Sequence, residues 1–162
     1  MASYNRWINE RLYAICAQLS DWDRKKDCGA FFKSIHGTLN HLLLGDKLWL
    51  GRFLGKPIQI SSLDQELHHE FAELHKDRTA TDDIIIDWAH SLTDDILAGD
   101  LQYTSIVDPA PRKCEMWLAT AHFFNHQTHH RGQLTTLLNQ FGQDIGVTDL
   151  IWLPGVVERN TI

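Results

Sequence analysis

An all-α fold, a helical bundle, is what the apolar residues of this chain predict. Hydrophobic side chains recur at helical steps of three and four along most of its length, and the recurring stretches are separated by Gly, Pro and polar punctuation. Size is the third observation: 162 residues suit one domain spanning 1–162, since single cores serve about 100 to 200 residues.

Trp7, Ile8, Leu12, Ile15 and Leu19 mark a first helix of about four turns, and the polar stretch from Asp21 to Cys28 ends it. A longer apolar run from about Ala30 to Leu54 gives a second helix, stopped by Gly55 and Pro57. Leu63, Leu67, Phe71 and Leu74 predict a helix over Ser61 to Arg78, interrupted by Thr79, Ala80 and Thr81. Thr81 can cap the next helix, because its hydroxyl can accept from an orphan backbone N–H. Ile84, Ile85, Trp88, Leu92 and Ile96 mark that helix, closed by Gly99 as a left-handed C-terminal residue. The alternation of Leu101, Tyr103 and Ser105, the turn residues Asp108 and Pro109, and the stretch Lys113 to Glu115 predict a short β-hairpin. The last helix runs from about Cys114 to Phe141 and stops at Gly142, and the tail drapes Ile151, Trp152 and Leu153 back over the bundle.

Composition narrows the function classes. With 43% hydrophobic and 22% charged residues the chain can bury a core and is not of a disordered type. Its apolar stretches fall short of the roughly 18 residues of a membrane span, and no basic segment precedes an apolar run at the N-terminus, so a cytoplasmic protein with no membrane partner is expected. A net charge of −6 and no basic patch argue against a nucleic-acid partner. Cys16, Cys28 and Cys114 are odd in number and scattered, which fits small side chains in a reducing compartment and no disulfide framework.

Ten histidines stand out, crowded most in the segment HFFNHQTHHRGQ. At about 100° per residue, the apolar stripe of the last helix is Met116, Ala119, Phe123, Leu134, Leu137 and Phe141, and His126 and His130 fill its gap. Spacing of four puts their Cβ atoms about 5–6 Å apart, close enough for two imidazoles to share an ion at about 2.0–2.1 Å. Histidines satisfied by hydrogen bonds in the core are the alternative, and spacing alone leaves both open. His122, His129 and Gln133 project to one side, where they suit a role of orienting ligands or sitting on the rim. In the second helix the apolar face includes Phe31, Ile35, Leu42, Trp49 and Phe53, with His41 at its edge. Ser34, Gly37, Thr38 and Gly45 beside His41 leave room for an ion and a pocket, or for close helix packing. Arg131 could attract an anionic substrate or serve in packing, while His36, His68, His69, His75 and His90 read as surface residues.

The segments LNHLLLGDKLWLGRFLG and HFFNHQTHHRGQLTTLLNQFG resemble the two signature regions of the DinB-like family of metal-dependent enzymes, named for an association with DNA damage. The order and spacing of the other elements agree over nearly the whole chain. The resemblance implies a four-helix bundle with a long crossover. It also implies a divalent metal, zinc or nickel, held by one histidine of the second helix and two of the last, which carry over to His41, His126 and His130. Similar proteins often form homodimers, and some are thiol-dependent transferases or isomerases that use low-molecular-weight thiols such as mycothiol or bacillithiol. The expected function is therefore a metal-dependent enzyme activating a thiol or water toward a small electrophilic substrate, as a thiol S-transferase or a hydrolase. Two readings stay beside it: a noncatalytic metal-binding stress-response protein, and a structural bundle with fortuitous histidines. No catalytic residue is singled out.

Overall fold

The structure, a computed structural model, describes residues 1–105 and 110–157. In chain order these form α1 (Ala2–Cys16), α2 (Asp21–Lys25), α3 (Ile35–Phe53), α4 (Phe71–Ser91), α5 (Asp94–Ala98), β1 (Asp100–Thr104), β2 (Pro111–Glu115), α6 (Met116–Gln140) and a single 3-10 turn at Leu150–Trp152. The chain is mostly helical with one small antiparallel sheet. Among the described residues no helix is long and apolar enough to cross a membrane.

Of the long helices, α3 packs against α6 and α4, and α1 against α4 and α6. Their apolar faces meet in two clusters. The larger joins Ile8, Leu12, Leu39, Leu43, Leu74, Leu134 and Leu138, and the smaller joins Leu50, Ile85, Trp88, Phe123 and Phe124. Phe53 stacks on Trp88 in the second cluster at 4.5 Å between ring centroids.

Several boundaries differ from the sequence reading. The polar stretch after α1 holds a short helix of its own, α2, because Ser20 caps it by accepting from the Asp23 N–H. The second long helix starts at Ile35, not Ala30: Ser34 is its cap, and Phe31, assigned to its apolar face, stands 86% exposed in the preceding loop. Ser61 to Arg78 is not one helix. Residues 54–70 are a non-helical crossover in which Leu63 is exposed, and α4 then runs unbroken through Thr79, Ala80 and Thr81. Thr81 is buried in mid-helix rather than capping one.

Downstream, α4 stops before Leu92, and Thr93 caps the separate α5 by accepting from the Ile96 N–H. Gly99 closes α5 in an extended conformation (φ −80°, ψ −176°), so its expected left-handed geometry is absent. The predicted hairpin is present, paired from Asp100 opposite Glu115 to Thr104 opposite Pro111, while Asp108 and Pro109 lie outside the described residues. β2 takes Cys114 and Glu115, so α6 begins at Met116, and Gly142 ends it with φ +69° as expected of a glycine stop. In the tail, Ile145 and Leu153 pack on the larger cluster, but Ile151 and Trp152 remain more than half exposed.

Candidate metal centre

Two elements present the three histidines. His41 lies in the second turn of α3, whose start is fixed by the Ser34 hydroxyl accepting from the Gly37 N–H at 3.0 Å. His126 and His130 occupy adjacent turns of α6 on one face. Packing of α3 on α6 brings the three together, with one ligand-capable atom of each lying within 4.8 Å of the others. Ring centroids are 4.4 Å apart for His126 and His130, 4.5 Å for His41 and His130, and 5.2 Å for His41 and His126. Gly45, one turn past His41, makes the approach feasible, since a Cβ there would lie 2.9 Å from His126 Cε1.

Two of the rings, His41 and His130, are held from behind. His41 Nδ1 lies 2.8 Å from the Leu63 carbonyl oxygen, which can only accept, so Nδ1 carries the proton and Nε2 the lone pair. His130 Nδ1 donates to Gln133 Oε1 at 2.8 Å, with the amide assigned in that orientation, and again leaves a lone pair on Nε2. These two Nε2 atoms face each other at 3.2 Å. Two lone pairs aimed at one another repel, and a cation between them removes the repulsion. Nitrogens about 2.0 Å from a tetrahedral zinc ion stand ~3.3 Å apart, so the spacing and the donor set fit such an ion.

Electrostatics agree. Burial, reinforced by the neighbouring histidines, lowers the pKa of His126 to about 3. Burial lowers His41 to about 4 despite its hydrogen bond to Leu63, and it lowers His130 as well. All three imidazoles are therefore neutral at neutral pH, the form a metal requires of its ligands.

Phe32 covers one side of the centre, its ring stacked on His41 at 3.7 Å and edge-on to His130 at 5.5 Å. The preceding loop reaches that position because Gly37 has no side chain: a Cβ there would lie 2.2 Å from the Phe32 carbonyl oxygen. Gly37 thus admits backbone, whereas Gly45 admits a histidine ring. A cavity of about 410 Å³ adjoins the loop, lined by Phe32, Ser34, His36, Gly37 and Asn40 among others and by none of the three histidines.

The remaining sequence-derived residues divide clearly. Gln133 orients His130, and His129, exposed, lies with Nε2 3.3 Å from Gln133 Nε2. His122 is on the rim, its ring 4.9 Å from Trp49 and 6.0 Å from His126. His36, expected on the surface, is buried and bonds through Nε2 to Glu66 and the His68 carbonyl. Arg131 is buried too, donating to Asn5 and lying over the Tyr4 ring, so it is not free to meet a substrate.

Sequence reasoning missed a second buried polar cluster. Arg78 Nη1 donates to Asp46 at 2.6 Å and Nη2 lies 2.8 Å from Asp82. Asn9 donates to Asp82 at 3.0 Å, and Gln127 donates to Asp46. Each of these residues is buried on the inward face of its helix, and no spacing within a single helix shows which of them pair across helices.

A family model described as the DinB family matches residues 1–159. Protein DinB of Bacillus subtilis (strain 168) is 26% identical over 153 residues, covering 90% of this chain and 87% of that protein. Because the match runs through both histidine-bearing helices and nearly the full sequence, the chain belongs to the DinB family.

Proposed function

We propose that His41, His126 and His130 hold one divalent metal ion, zinc or nickel, and that the protein is a metal-dependent enzyme acting on a small electrophile as a thiol S-transferase or hydrolase. The observation that carries this reading is the pair of Nε2 lone pairs facing at 3.2 Å with both Nδ1 atoms already committed as donors. An ion with three neutral imidazoles keeps a position open and supplies the Lewis acidity that makes a thiol or water nucleophilic near neutral pH. The chain's own residues supply the rest. Leu63 and Gln133 fix the tautomers, Gly45 gives His126 its place, and Phe32 keeps water off one side of His41. On the same reading the four long helices form a bundle with a long crossover, the chain is one domain, and it acts in the cytoplasm as a homodimer with a low-molecular-weight thiol as partner. The family resemblance supports the bundle, the dimer and the thiol, and the scattered cysteines and lack of a long apolar stretch support the cytoplasm.

A second reading has its own support. The bonds from His41 to the crossover and from His130 along α6 tie the centre into the fold, as suits a noncatalytic stress-response protein whose ion staples helices. Elemental analysis of protein purified without a nickel column tests both at once. About one ion per chain is expected, and negligible uptake by folded protein rejects both. Metal removal then separates them, since an enzyme is left folded but inactive against a panel of thiols and electrophiles, and a stapled fold is lost.

A further inference from the structure

Arg52 lies on the face of α3 that carries His41, Gly45 and Trp49, near the helix end. Its Cζ sits 4.4 Å from the Trp49 ring and 4.4 Å from the Tyr103 ring, and those rings are 5.5 Å apart. The guanidinium is thus seated in an aromatic corner built by α3 and β1. Cation–π attraction there orients it and strips part of its water while leaving N–H edges available. Half-buried, it makes no hydrogen bond or ion pair among the described residues. Other arginines are committed: Arg6 to Asp83, Arg11 to backbone carbonyls, Arg78 to two aspartates and Arg131 to Asn5.

Beside Arg52 opens a cavity of about 300 Å³, lined on its apolar side by Leu48, Pro57, Ile58 and the Tyr103 ring, with the uncharged polar Gln102 and Thr104 at its β1 wall. Among the described residues its lining contains no charged side chain besides Arg52. A pre-oriented guanidinium at the edge of a cavity with an apolar side matches a planar oxyanion attached to an apolar body. A single cation balances a single negative charge, which favours a carboxylate over a doubly charged phosphate.

We propose that Arg52 anchors a binding site for a small organic monocarboxylate whose apolar part fills this cavity. Resting here on the metal reading above, a substrate carboxylate held by Arg52 would lie about two helical turns, roughly 10 Å along α3, from Gly45 and the histidine centre, although none of the three histidines lines this cavity.

The test is a titration followed by two-dimensional NMR with benzoate, its uncharged analogue benzamide, and inorganic phosphate as probes. It is run on metal-free and on zinc-loaded protein, for wild type, Arg52→Lys and Arg52→Gln. Benzoate should bind wild type saturably, with Kd on the order of millimolar, shifting the Trp49 indole and Tyr103 signals. Arg52→Lys, Arg52→Gln and the change to benzamide should each weaken binding about tenfold or more, in line with loss of a charge-assisted hydrogen bond. Equal benzoate affinity in wild type and a folded Arg52→Gln overturns the proposal, as does phosphate binding as tightly as benzoate. Should both variants fail to fold, the wild-type titration decides, and unmoved Trp49 and Tyr103 signals reject the site. Failure of zinc uptake would count against the metal reading alone, because the metal-free arm still reports on Arg52.

Discussion

Two buried polar regions lie side by side between α3 and α6, and they solve the problem of polarity in a core in opposite ways. Asp46 follows Gly45 on α3 and Gln127 follows His126 on α6, so neighbouring residues feed one region or the other. In the cluster around Arg78, unlike groups meet: a guanidinium between two carboxylates, with amides donating to them. In the histidine centre like groups meet, acceptor against acceptor at 3.2 Å. A buried group without a partner is costly. The first region balances its charges within the chain, although Arg78 Nε and Gln127 Oε1 stay without a hydrogen-bond partner among the described residues, while on the metal reading the second takes its complement from outside.

The largest expected effect breaks the complete region. Arg78→Met leaves Asp46 and Asp82 buried without their cation and should cost about 3–5 kcal/mol of stability, measured by urea unfolding. A loss below about 1 kcal/mol would mean that water or rearrangement replaces the guanidinium.

The histidine centre should respond in affinity. His130→Ala is expected to weaken zinc binding more than about 100-fold, since a ligand exceeds the 10–100-fold typical of groups that orient ligands. His129→Ala, exposed and 4.8 Å from His130 between ring centroids, should change little. Competition with a chromogenic chelator distinguishes the two, and equal losses would place the ion on another set. Gly45→Ala should follow with about tenfold weaker binding, a loss of the size typical of disturbing what orients a ligand, because its Cβ displaces the His126 ring while leaving all three imidazoles present. Unchanged affinity there would mean the ring yields freely.

The smallest expected effect is in pH, and here the regions oppose each other in metal-free protein. His41 and His126 have folded pKa values below their ordinary range, about 4 and about 3, so their share of stability is present above about 6.5 and lost as pH falls toward those values. Asp46 is raised by burial, partly offset by Arg78, to about 6. Its share is present below about 3.8 and lost as pH rises through about 6. Between about pH 4 and 6 the two contributions partly cancel. Metal-free His126→Ala should therefore lose less stability than wild type when pH drops from about 7 to 5. An unchanged acid limb in thermal melts would show that His126 does not titrate as the geometry requires.

The two regions also differ in how much of them the sequence made legible. The histidine centre was readable because imidazoles at steps of four interrupt an otherwise apolar stripe, and a motif resemblance pointed to the same three residues. The Arg78 cluster was not, because its members are spread over α1, α3, α4 and α6 and pair only after folding. That invisibility also hid the continuity of α4: its inward face reads Leu74, Arg78, Thr81, Asp82, Ile85 and Trp88, so its polar middle looks like a break unless Asp46 and Asn9 are known to face it. His36 escaped for the same reason, since its partners Glu66 and His68 come from the crossover.

That crossover carries a further consequence. Asn40 accepts from the Leu67 and His68 N–H groups and donates to the His68 carbonyl, while the adjacent His41 donates to Leu63. Ordering of residues 54–70 and the availability of His41 Nε2 are therefore linked, and linkage is reciprocal. By whatever factor a settled crossover tightens the proposed ion, the ion must favour the settled crossover by the same factor. Metal occupancy would then be legible from outside the centre, as slower protease cleavage between α3 and α4, so that the longest irregular connection between the long helices serves as a gauge of whether the site is filled.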